Sequence, residues 1–126
     1  MQPCLINFDI DETTAEHDNR GLAMINQLQT AIATNPQILD NYFKLKSLYS
    51  AYTRESLKAF KVLETALTYF PDNVRLLVEL ATLCEFELED YAQARQYYER
   101  ILTLNHNHEL ALAALDVLND PNLLPN

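Results

Sequence analysis

Glycine is almost missing from this chain: Gly21 is the single one in 126 residues. Phosphate-cradling loops and dinucleotide fingerprints need several glycines at fixed spacing, so both are excluded. The same shortage argues against an all-β fold with many tight turns, whereas a helix-rich chain loses nothing by avoiding glycine. Bases are scarce too. Nine Lys and Arg stand against 18 Asp and Glu, a net charge of −9, and phosphate binding needs clustered bases, so nucleic acid is not an expected partner. No apolar run reaches the about 18 residues that a membrane span needs. The two cysteines, Cys4 and Cys84, lie far apart. Cys84 falls in an apolar helical register and reads as a buried structural thiol. Cys4 follows only three residues and no apolar signal stretch, so a reducing cytoplasm is the expected location.

What is present is ordinary globular material. Apolar residues make up 48% of the chain, too much for disorder and enough for one domain with a modest core. The charge is uneven. Residues 1–43 carry −5, residues 44–61 carry +4, residues 62–100 carry −5 and residues 101–126 carry −3. The basic strip (Lys44, Lys46, Arg54, Lys58, Lys61) reads as a solvated helical face rather than a phosphate patch.

Residues 1–13 alternate apolar and polar positions through Cys4, Ile6, Phe8 and Ile10, which predicts an extended acidic N-terminal segment, either free or lying along the rest of the fold to shield an end or the groove. From there the period is helical. The pattern predicts helices over about 15–34, 37–52, 55–69, 73–87, 90–104 and 109–119, in a domain spanning 14–120 with a short tail at 121–126. The breaks carry helix-stopping chemistry: Pro36, Pro71, the run Asn105 to His108, and Asp120 with Pro121. Short connections imply antiparallel neighbours.

Pro36, Pro71 and His106 are spaced 35 residues apart, and the residues before them keep register. Met24, Leu28 and Ala31 precede Pro36; Ala59, Leu63 and Ala66 precede Pro71; Ala94, Tyr98 and Ile101 precede His106. A period of this size signals stacked supersecondary units, none of which can bury its apolar face alone. Small residues at Ala59, Ala66, Ala81 and Ala94 would let helices approach closely. Large ones at Tyr42, Leu63, Leu77 and Tyr98 would fill the gaps between them.

Over roughly residues 20–119 the chain resembles the tetratricopeptide repeat family. Ala59, Leu63, Ala66 and Pro71 match the family's second-helix pattern, and Ala94, Tyr98, Ile101 and His106 match it with two replacements. Tyr42, Leu45, Lys46 and Tyr49 follow the first-helix pattern except at Lys46, and Leu77, Leu80, Ala81 and Cys84 follow it except at Cys84. The period is one residue longer than the family's, which places one extra residue in each turn within a unit. The resemblance implies an all-α fold: a short right-handed superhelical solenoid of antiparallel helix hairpins. Two full units would be preceded by a half unit and followed by a capping helix.

Such solenoids bind proteins in a concave groove lined by first helices. Projected from the family pattern, that groove presents Asp40, Phe43, Ser47 and Ser50, then Arg75, Val78, Thr82 and Glu85, then Ala113 and Val117. Its mixed apolar and acidic character suits an extended or helical peptide carrying basic residues. The lysine and asparagine clamp that many family members use on acidic chaperone tails is absent: Phe43, Ser47, Val78 and Thr82 stand there, which rejects a heat-shock co-chaperone role. The last helix is apolar nearly all round. Leu110, Ala114 and Leu118 mark it as a candidate terminal interface, including one for a homodimer, unless Leu123 and Leu124 fold back to cover it.

Nothing in the residues points to catalysis, a cofactor or a metal. His106 and His108 lack a third ligand and helical zinc spacing, and His17 stands alone. The acidic run Glu85, Glu87, Glu89 and Asp90 lacks the glycine of a calcium loop and reads as a solvated turn. Ser47, Ser50 and Ser56 lie in no nucleophile motif, and Cys84 has no patterned base. The expected function is therefore a non-enzymatic protein-interaction module, such as an adaptor, assembly factor or dedicated chaperone. The alternative is a small acidic inhibitor or immunity-type protein that neutralises a basic enzyme.

Overall fold

The structure is a computed structural model that describes the backbone of residues 12–122 and the side chains of residues 19–122. The expected extended segment falls outside the described residues except at its end, where Glu12 and Thr13 already belong to the first helix. The alternation through Cys4, Ile6, Phe8 and Ile10, and the cover expected from Leu123 and Leu124, also lie outside them.

The described residues form an all-helical chain without strands. In order these are α1 (Glu12–Thr34), α2 (Leu39–Ser47), α3 (Ser56–Tyr69), α4 (Val74–Leu83), α5 (Tyr91–Leu104) and α6 (Glu109–Leu118). The spacing of the sequence recurs in the element boundaries: α2, α4 and α6 open 35 residues apart, at Leu39, Val74 and Glu109. The starts of α3 and α5, Ser56 and Tyr91, are 35 apart as well.

Local chemistry sets these boundaries. Asn73 caps α4 by accepting from the Leu76 amide, Asp90 caps α5 by accepting from Gln93, and His108 Nδ1 caps α6 by accepting from Ala111. In the breaks, Asn35 and Asn105 each accept from the amide two residues on, the turn that asparagine side chains favour.

The extra residue of each unit does not sit in the loop. α2 and α4 each run on into a five-residue π-helical turn, Leu48–Tyr52 and Cys84–Leu88. An i→i+5 turn stores one more residue than an α-turn. Each ends with the same closing bond, from the Glu55 amide to the Tyr49 carbonyl (2.6 Å) and from the Asp90 amide to the Cys84 carbonyl (2.9 Å). The residues just before those donors, Arg54 and Glu89, take left-handed backbone with φ of 61° and 54°. Helices commonly end on such a residue, usually glycine, and this chain has none to place there.

Helices pack in chain order: α1 on α2, α2 on α3, α3 on α4, α4 on α5 and α5 on α6. The small positions Ala59, Ala66, Ala81 and Ala94 and the large ones Tyr42, Leu63, Leu77 and Tyr98 are all buried, as their types predict. Cys84 is fully buried among them. Ties between successive hairpins are side-chain contacts. Phe60 of α3 meets Tyr97 of α5 edge to face, and Arg100 of α5 donates to the Pro71 carbonyl and pairs with Asp72. Arg95 of α5 donates to the Leu118 carbonyl at the end of α6 (2.8 Å), where a cation complements the helix dipole.

Candidate functional site

An open apolar surface lies between α1 and α2. It is a groove of about 650 Å3 lined by Met24, Leu28 and Ala31 on one side and by Leu48, Ala51 and Tyr52 on the other, with Lys44 and Ser47 at its polar edge. Its floor depends on the lone glycine. Gly21 is buried, and a Cβ there would clash with the edge of the Tyr52 ring. The glycine thus lets the π-turn of α2 lie close against α1.

The groove is open where the register says it should be filled. Ala59, Leu63 and Ala66 on α3, and Ala94, Tyr98 and Ile101 on α5, have no exposed surface. The matching residues on α1 are Met24, at 44% exposure, and the half-buried Leu28 and Ala31. α2 covers α3 and α4 covers α5, but no helix precedes α1 among the described residues.

The face shared by α2 and α4 is held by charge and ring contacts. Arg75 lies over the Phe43 ring, its guanidinium carbon 3.9 Å from the centroid, a cation–π arrangement. Lys46 of α2 pairs with Glu79 of α4 at 2.9 Å, both side chains largely buried. Phe43 is therefore not open groove surface, as the first-helix pattern implied. It is 7% exposed and lies under Arg75.

The remaining groove candidates scatter. Asp40 is exposed and pairs with Lys44 on its own helix. Ser47 is exposed but lines the α1–α2 groove. Ser50 donates to Glu87. Arg75 is exposed, and Val78 is half-buried. The Thr82 hydroxyl turns back to the Val78 carbonyl. Glu85 accepts from the Tyr98 hydroxyl at 2.7 Å. Ala113 and Val117 stand exposed on α6.

The terminal candidates divide in the same way. Leu110 is exposed, but Ala114 and Leu118 are buried residues of α6 and belong to the core, so they are not interface surface. The large exposed apolar side chains of that helix are Leu110, Leu112 and Val117.

The acidic stretch is more than a solvated turn. Glu85 holds Tyr98, and Glu87 accepts from both Ser50 (3.0 Å) and Ser56 (2.6 Å). Two of its carboxylates thus pin the π-turn of α4 to its neighbours.

The titrating groups here are structural. Burial pushes the Cys84 thiol up to about 11, with the negative charges of Asp90 and Glu64 adding to it. Burial likewise raises the Tyr97 phenol to about 12. Tyr98 is raised further, by burial first and by its bond to Glu85 second. A thiol so protonated is a poor nucleophile. The His106 ring faces the Leu102 carbonyl, and His108 serves as a cap. No group of three or more His, Cys, Asp or Glu side chains able to hold a metal occurs among the described residues. No helix among them is long and apolar enough to cross a membrane.

Of the residues lining the α1–α2 groove, the projection from sequence named only Ser47. The groove's α1 side was visible only as register, because Met24, Leu28 and Ala31 carry the same pattern as residues that are buried elsewhere. Compared with protein-family models and with curated proteins, the chain matches none.

Proposed function

We propose that this chain is a non-enzymatic protein-interaction module: a short tetratricopeptide-like stack of helix hairpins that receives a helical segment of a partner in the α1–α2 groove. The carrying observation is the exposure of Met24, with Leu28 and Ala31 beside it, at positions that are fully buried on α3 and α5. An apolar strip of this kind, edged by Lys44 and Ser47, suits the apolar face of an amphipathic helix. Packing in chain order and the 35-residue spacing of helix starts support the stacked reading. The adjoining face, where the exposed Arg75 covers Phe43 and Val78 is half-buried, extends the surface toward acidic or apolar partner residues.

The inhibitor reading draws on the net charge of −9. It is the weaker of the two, because Glu85 and Glu87 are engaged by Tyr98, Ser50 and Ser56 rather than offered to a basic enzyme.

A photocrosslinking residue at Ser47 tests the groove, with one at the exposed Thr103 of α5 as control. Crosslinking in the native cell is expected to give a discrete protein adduct from Ser47 only, lost on Met24→Glu. Identical adducts from both positions, or an adduct indifferent to Met24→Glu, would contradict the proposal. Phe43→Glu is unsuitable as a probe, because it would bury a charge and unfold the chain.

A further inference from the structure

The two ends of the described chain are unmatched halves of one unit. By register α1 is a second helix with no first helix before it among the described residues. By the same register α6 is a first helix with no second helix after it among the described residues. Leu112 and Leu115 on α6 correspond to Tyr42 and Leu45 on α2 and to Leu77 and Leu80 on α4. Those four are buried where α2 packs on α3 and α4 packs on α5. Leu112 is 45% exposed and Leu115 half-buried, and no helix covers them among the described residues.

Among the described residues, the groove has the matching open face. Shifted by 35 residues, its edge residue Lys44 becomes Glu79, the α4 residue that receives α2 through the 2.9 Å pair with Lys46. Shifted by 70, Lys46 becomes Asp116 on α6. The internal pair Lys46–Glu79 therefore has a counterpart with both signs reversed, Asp116 on the incoming helix and Lys44 on the groove. Asp116 is exposed, and Lys44 is solvent-facing, paired among the described residues with Asp40 of its own helix. The ten residues of α6 span about 15 Å, enough to cover the about 12 Å of groove wall between Met24 and Ala31.

We infer that the occupant of the α1–α2 groove is α6 of a second copy of this chain, docked head to tail. Leu112 and Leu115 pack on Met24, Leu28 and Ala31, and Asp116 meets Lys44, so that the contact continues the interface already formed by α2 on α3. Such a contact is heterologous: each copy keeps one free groove and one free α6, and assembly is open-ended unless it closes into a ring. The inference rests on the reading of the groove as a helix seat and adds the identity of the helix.

Sedimentation of end-blocked variants tests it. Met24→Glu blocks the groove and Leu112→Glu blocks α6; both sites are exposed, and circular dichroism verifies that each variant stays helical. The unaltered chain is expected to grow beyond two copies as concentration rises. Each variant alone is expected to be monomeric, and an equimolar mixture to give a dimer of one of each. Lys44→Glu and Asp116→Lys should each weaken association about tenfold through like-charge contact, and combining them in one chain should restore it. An unaltered chain that stays monomeric up to about 1 mM, or a mixture that never dimerises, overturns the inference. A monomeric chain that still gives the Ser47 adduct with a different protein would overturn it and leave the groove reading standing.

Discussion

Gly21 sits in the interior of α1, where glycine is the least favourable residue after proline. By propensity alone, Gly21→Ala should gain about 1 kcal/mol. Because a Cβ there clashes with the Tyr52 ring, the opposite is expected: overpacking that lowers stability by about 1 kcal/mol in urea titration. In a Tyr52→Ala background the ring is gone and Gly21→Ala should become stabilising; a gain in both backgrounds would contradict the contact. Arg54 and Glu89 present the converse case, side-chain-bearing residues at left-handed positions. Glu89→Gly is expected to raise stability by about 0.5–1 kcal/mol, and an unchanged melting temperature would count against strain there. Cys84 sets a pH dependence. Its folded thiol titrates at about 11 against an ordinary 9.0, so between those values the unfolded chain releases a proton that the folded one keeps. Stability should be full below about pH 9 and fall as pH rises towards 11. Tyr97 and Tyr98, also raised, act in the same direction above pH 10, their ordinary value. Urea midpoints at pH 7 and pH 10.5 check this, and the drop should be smaller in Cys84→Ala.

At the level of elements, helix existence was legible and helix ends nearly so. Apolar spacing marked each helix, and Pro36, Pro71 and the caps Asn73 and Asp90 marked the borders within a few residues. The π-turns were not legible. An i→i+5 slip has no side-chain signature, and its only trace was the one-residue mismatch between the first-helix and second-helix patterns. The contacts that hold those turns were equally hidden, since Glu87 meets Ser50 and Ser56 only after the hairpins stack. Glu87→Ala removes the shared acceptor of two hydroxyls and should lower stability by about 1 kcal/mol, whereas Glu87→Gln should retain part of it. Equal stability of the alanine variant and the unaltered chain would show that these exposed bonds contribute nothing.

For the whole molecule, the same residue pattern gives opposite outcomes depending on what lies beside it. Ala59, Leu63 and Ala66 vanish into the core, while Met24, in the register of Ala59, lies open. Burial here is a property of a helix's neighbours, which is why sequence placed the core and missed the groove. It also placed Phe43, Ala114 and Leu118 on the surface, although Arg75 covers the first and the core takes the other two. If units are coupled only to their neighbours, stability must decline from the middle of the stack outward. Native-state hydrogen exchange reads this most directly. Amides of α3 and α4 should be the most protected, with α1 and α6 opening separately and at lower free energy. A single opening free energy shared by all six helices would mean a closed bundle, and would contradict the stack and the vacant groove together.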